Sequence, residues 1–405
     1  LNRCQQWQLI LHFVGKVGEN PTLTRNRDRD HSKVGLPTET QMTPFHRRGL
    51  RLESNKCFAL FAFARCLHLR KAPLFKFKQL KSNSSFRRAL APAFLAISMS
   101  VGTAFTANAA ETYPTTVSFL AKSFVAGKAM EGATAGTYEY GFTLDAMMQL
   151  KAGGKSLVNQ LPAVNFMLAT RSQPMGTNSS GYLFNQDAEK SLNVGRAGKF
   201  LFTSQVINVP NNSIRYDIFK KLAARINSQT GEISGVASGS IDYAWVALGL
   251  NSYQEYTLAN KVVQRMLTLQ NTDGGFGEVD PLVSTPDATG LALQAINLRQ
   301  DFGTDAQDKK RAAAEKSAVA YLLATDVDGN HWDAYGEASI NSTAYAAMGL
   351  KAAGKKISVY STWLKSKLAP KGGFTTSWSN GLGDKFATAQ AYAPLVGKSY
   401  LDLLP

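Results

Sequence analysis

Residues 262–296 read VVQRMLTLQNTDGGFGEVDPLVSTPDATGLALQAI, and this stretch carries one complete structural period. Its first part extends a helical pattern. Tyr256, Ala259, Val262, Val263, Met266, Leu267 and Leu269 fall on one face, and Asn260, Lys261, Gln264 and Arg265 fall on the other. Asn271-Thr272-Asp273-Gly274-Gly275-Phe276-Gly277 then breaks the helix. A second helix starts at Thr285-Pro286-Asp287, where a capping hydroxyl precedes a proline suited to the first helical position. It continues with small and apolar residues on nearly every face, the pattern of a buried helix. The period is therefore one amphipathic outer helix, a glycine-rich break and one apolar inner helix.

The same period recurs six times. Inner segments fall at 141–154, 197–208, 239–250, 284–298, 338–354 and 383–396. Their closing residues Leu150, Ile207, Leu250, Ile296, Leu350 and Leu395 are 57, 43, 46, 54 and 45 residues apart. Outer segments fall at 115–127, 157–170, 213–228, 255–270, 306–325 and 357–369, each followed by a glycine-rich break expected to close the helix with a left-handed residue. Strand signals are nearly absent, Val206-Ile207-Asn208-Val209 being the nearest. An all-α fold follows: six outer and six inner helices closed into a ring of two concentric layers.

The segment Leu269-Gln270-Asn271 with Asp273-Gly274-Gly275-Phe276-Gly277, followed by Ser284-Thr285-Pro286-Asp287-Ala288-Thr289, resembles the prenyltransferase / squalene-oxidase repeat of the terpene cyclase superfamily. Weaker copies are Leu368–Phe374 and Gly329–Trp332. The resemblance implies an (α/α)6 toroid across about residues 113–400, which agrees with the independent helix count. Related toroids include class II terpene cyclases, protein prenyltransferase β subunits and cobalamin carriers, so the fold leaves the activity open.

Charge divides the 405-residue chain. Its net +16 comes mostly from residues 1–109, which hold 18 basic and 5 acidic side chains; the remainder holds 27 and 24. Basic residues Lys76 to Arg88, an apolar run from Ala89, and Ala107-Asn108-Ala109 have the order of a secretory signal peptide with its cleavage site. We therefore expect a signal peptide over 74–109 and a single toroid domain over 110–405. Residues 1–73 read as an upstream or disordered extension, since the chain opens on Leu1 and shows no sustained period there. The expected location is secreted or extracytoplasmic, with the membrane only an export route. Near-neutrality beyond residue 109 argues against a nucleic-acid partner.

All three cysteines (Cys4, Cys57, Cys66) and four of five histidines precede residue 109, leaving His331 alone beyond it. The Asp, Cys and His that a zinc prenyltransferase converges on one metal are therefore missing. Where cyclases of the family carry D-x-D-D, this chain has Thr285-Pro286-Asp287-Ala288, with one acid, and no D-D-x-x-D run occurs. Asp145, Asp242 and Asn341 stand at similar places in other repeats, and Asp384 extends the series. Thr143, Ser240, Thr285 and Ser339 precede these groups as helix caps would. The alternative reading is an acidic rim at one mouth of the ring; were the chain an enzyme, Asp287, Asp242 and Asp145 would carry the chemistry.

Aromatics in the breaks and inner helices either stack the repeats or line a cavity. Tyr243, Tyr345 and Tyr392, with Trp332 and His331, are the candidate ligand contacts alongside Asp287, Asp242 and Asn341. Asp326-Val327-Asp328-Gly329-Asn330 reads as a turn, lacking the remaining ligands of a calcium loop. No metal and no cofactor is expected. The missing catalytic motifs favour an exported protein that binds a small molecule, an isoprenoid lipid, a corrinoid or a glycan without catalysis. The alternative is a diverged cyclase-like isomerase or a carbohydrate-active toroid.

Overall fold

The computed structural model describes residues 112–405 except 135, 170–173, 176–177, 185–190, 236–238, 279–282 and 299–302. The expected extension and signal peptide lie outside the described residues. Among the described residues twelve α-helices alternate between two layers. The outer layer holds α1 (Pro114–Lys122), α3 (Leu157–Ala169), α5 (Ser213–Ala223), α7 (Tyr256–Met266), α9 (Asp305–Thr325) and α11 (Ser358–Ser366). The inner layer holds α2 (Tyr140–Ala152), α4 (Val194–Val206), α6 (Ser240–Ser252), α8 (Pro286–Ile296), α10 (Ile340–Ala352) and α12 (Lys385–Leu395). Each inner helix packs on the next, and α12 packs on α2, so the inner layer is a closed ring.

Packing follows the residue pattern. The inner helices are buried almost all round, whereas α7 buries Ala259, Asn260, Val262, Val263 and Met266 and turns its remaining side outward. Glycine sets two of the inner contacts: Gly198 faces Gly249 between α4 and α6, and Gly290 faces Gly349 between α8 and α10. A Cβ on any of the four would overlap facing backbone. The seam between α12 and α2 uses a different device. Pro394 has no N–H to give the Gln390 carbonyl, and the Gln149 amide takes that carbonyl at 3.2 Å while accepting the Ala393 N–H at 2.5 Å.

The helix ends refine the sequence expectations. Thr285 and Ser339 cap α8 and α10 through the Ala288 and Ser342 N–H groups, and Asp384 caps α12 through Phe386 and Ala387. Thr143 and Ser240 do not cap. Thr143 lies inside α2, donating to the Glu139 carbonyl and accepting the Met130 N–H. Thr289, Thr343 and Thr388 likewise accept the N–H groups of Phe276, Trp332 and Phe374, pinning each preceding break to its inner helix. The left-handed residues that close helices follow the inner ones: Gly154, Asn208, Gln254, Gly354 and Gly397. Val206 ends α4 and forms no strand.

Among the described residues four short hairpins occupy the breaks before inner helices: β1 (Phe124–Val125) with β2 (Ala129–Met130), β3 (Pro174–Met175) with β4 (Asn178–Gly181), β5 (Phe276–Gly277) with β6 (Ser284–Thr285), and β7 (Trp332–Ala334) with β8 (Glu337–Ser339). Among the described residues no helix is long and apolar enough to cross a membrane.

Candidate functional site

The sixth residues of the six inner helices are Asp145, Lys199, Trp245, Leu291, Tyr345 and Gln390. Together they form a belt across the centre of the ring. Lys199 Nζ meets Asp145 Oδ2 at 2.7 Å and lies 5.2 Å from the centre of the Trp245 ring. Gln390 Nε2 donates to Asp145 Oδ2 at 3.2 Å and reaches the Tyr345 hydroxyl at 3.4 Å. Asn341 Nδ2 donates to Gln390 Oε1. The Asp145 side chain is 1% exposed, so this charge pair is a buried one that stands or falls together.

Below the belt, toward the C-terminal ends of the inner helices, the segment after α12 turns inward. The Tyr400 N–H donates to Gln294 Oε1 at 2.9 Å, and its ring is fully buried against Phe202, Trp245 and Tyr345. The Tyr400 hydroxyl lies among Tyr345, Gln149 and Asp145. Burial raises the pKa of both phenols well above the ordinary value, so both rings stay neutral. The ring is thus filled on this side.

Above the belt lies a cavity of about 190 Å3, lined by Ile241, Trp245, Glu278, Asp287, Leu291, Tyr345 and Gln390. Asp287 is the second residue of α8 and projects into it. Burial pushes the Asp287 pKa up to about 6, and the negative charge of Glu278 adds to the rise; a hydrogen bond from Ser342 and its own backbone N–H oppose it. The Thr285 hydroxyl donates to Glu278 Oε1 at 3.1 Å and holds that carboxylate in place. The cavity therefore joins a carboxyl pair to an apolar wall of Ile241, Leu291 and the Trp245 ring.

Asp287 and Tyr345 line the cavity, and Asn341 supports it through Gln390. Asp242 packs against Gly195; burial raises its pKa and Arg196 partly opposes the rise. Asp145 is engaged by Lys199 and Gln390, and Asp384 by its cap, Thr376 and Trp378. The other four candidates do not line this cavity. The Tyr243 hydroxyl accepts the Ile233 N–H, and the Tyr392 hydroxyl accepts the Tyr113 N–H. Trp332 is buried, its indole donating to the Leu322 carbonyl. His331 stacks on Trp363 at 4.8 Å, with Asp333 Oδ1 3.2 Å from its Nε2. Asp328 and Gly329 form a left-handed turn, as the sequence predicts. Among the described residues no group of three or more His, Cys, Asp or Glu could hold a metal ion.

Sequence reasoning missed Lys199, Gln390 and Glu278. Lys199 carried a signal, being the lone charge inside its inner segment 197–208. Glu278 and Gln390 carried none without the register that places them.

No family model matches the sequence, and a search of curated proteins finds no relative. Among solved structures the chain is similar to the type II terpene cyclase MstE from Scytonema in its apo form, at 15% identity and a TM-score of 0.50. The match covers 70% of this chain and 95% of the cyclase. At that identity the likeness concerns the fold: the chain has a terpene cyclase-like α/α toroid.

Proposed function

We propose that this toroid is an exported binding protein that holds a small amine-bearing ligand in its central cavity without transforming it. The carboxyl pair Asp287–Glu278 beside the Trp245 wall carries the reading. An ammonium group between the two carboxyls relieves their mutual repulsion, and the apolar wall takes the attached carbons. The volume sets the scale: about 190 Å3 is below the roughly 300–1,000 Å3 of pockets that enclose drug-sized ligands.

Cyclase chemistry has less support. Asp287 stands in Thr285-Pro286-Asp287-Ala288 without the further acids of the D-x-D-D run that cyclases of the family carry. Asp145 is committed to Lys199. The second reading rests on the same pair: a carboxyl poised near pH 6 beside a second carboxyl suits general acid–base work on a small substrate.

Thermal unfolding with ethanolamine, putrescine and choline, followed by mass analysis of the recovered compound, tests both. Stabilisation at pH 7.5 that fades below about pH 6 and is lost in Asp287→Asn, with the compound recovered unchanged, is the expected result. A chemically altered compound would establish the enzymatic reading, and the absence of any shift would remove the amine.

A further inference from the structure

A second surface lies on the loops that precede α10 and α12. Tyr335 and Gly336 form the two-residue tip of the β7–β8 hairpin, with φ of 55° and 80°. Two positive φ angles in such a turn favour Asn-Gly or Asp-Gly, and a ring-bearing residue at the first position is strained. Tyr335 nevertheless occupies it, and its side chain is 86% exposed.

The neighbouring loop before α12 presents a second ring. Trp378 is 64% exposed, yet its indole N–H donates to Asp384 Oδ2 at 2.7 Å. Asp384 is itself fixed at the helix start and accepts the Thr376 hydroxyl. Ser379 closes the loop on both backbone groups of Thr376. The ring is thus held by its polar edge. The Ser377 hydroxyl donates to Glu337 Oε2 at 2.5 Å and joins the Trp378 loop to the Tyr335 hairpin.

We propose that Tyr335 and Trp378 form a carbohydrate-binding platform that takes a neutral glycan chain at the ring mouth. Sugar rings pack their C–H faces on aromatic faces, and carboxylates and hydroxyls beside the rings accept and donate to sugar hydroxyls. The Trp378 ring, fixed through its indole N–H, meets such a chain with little ordering cost. Asp333, Glu337 and Asp384 on the same two loops disfavour an anionic membrane surface, which would call for basic residues. The platform is independent of the amine proposal, since neither ring lines the cavity.

Affinity electrophoresis through hydroxyethylcellulose, glycol chitin, xylan and dextran, with sedimentation on insoluble cellulose, chitin and peptidoglycan, tests it. At least one polysaccharide should retard the full-length protein. Trp378→Ala and Tyr335→Ala should each weaken that binding at least tenfold, with Trp378→Phe within about threefold of the parent. Unaltered melting temperatures would show that the variants are folded. Retardation by no polysaccharide, or retardation of both alanine variants as strong as that of the parent, overturns the platform. So does binding to phosphatidylcholine–phosphatidylglycerol vesicles that Trp378→Ala abolishes when no glycan binds.

Discussion

The two halves of the ring, above and below its central belt, have the same six helices and opposite characters. Below the belt, Tyr400 fills the centre, and Gln149 and Gln294 spend their amides on backbone groups of other segments. Above it, Asp287 sits with a raised pKa beside Glu278, and Tyr335 holds a strained turn. The half where helices end is filled by the C-terminal segment. Costs accumulate where helices begin, as expected when a stable scaffold carries a binding site.

Substitutions should separate the halves by size and by sign. The largest effect is expected at the belt. Lys199→Met leaves the Asp145 charge buried without its partner and should cost about 3–5 kcal/mol in urea unfolding. Combining it with Asp145→Asn should recover most of the loss, and failure to recover would mean that the belt is not an electrostatic unit. Next comes the seam. Gln149→Leu strands the Gln390 carbonyl and the Ala393 N–H and should cost roughly 2–4 kcal/mol.

The mouth should answer with the opposite sign. The Asp287 pKa rises from 3.8 to about 6 on folding, so the native state holds its proton more tightly than the unfolded chain. Its contribution is complete below about pH 4 and is lost as pH rises through about 6. Asp287→Asn should therefore stabilise the protein at pH 7.5 by at most about 3 kcal/mol. Denaturant titrations should show the gain vanishing below pH 4, and a loss at pH 7.5 would place Asp287 among the stabilising groups. Smallest of all, Trp378→Ala should change stability by no more than about 0.5 kcal/mol in thermal unfolding, because its ring is exposed.

Helix type and order were legible in the sequence because burial on every face and burial on one face leave different patterns. The outer segments at 213–228 and 306–325 start within one residue of α5 and α9. The site was legible only in part. Asp287 announces itself through Thr285-Pro286, a strong helix-start signal. Glu278 lies in a glycine-rich break with no periodicity to assign its direction, and the Asp145–Lys199 pair joins helices 54 residues apart. The rings of Tyr243 and Tyr392 could not be told from that of Tyr345 by sequence, since all three occupy inner helices and differ only in register. Four threonine contacts to preceding breaks escaped notice, since Thr143 reads first as a cap and Thr289, Thr343 and Thr388 lie inside helices with nothing in the sequence to name their partners.

The Gln149 clamp opposite Pro394 also bears on how the molecule assembles and diversifies. Its two hydrogen bonds join residues 241 and 244 positions apart, so the step that makes them carries a large loop-closure entropy. An open solenoid can nucleate anywhere, fray at its ends and gain or lose a unit at small cost. A sealed ring has no frayed end, and a seventh unit would separate the amide of α2 from the gap in α12. Copy number is therefore fixed, and evolution within this architecture must proceed by exchanging side chains at constant count.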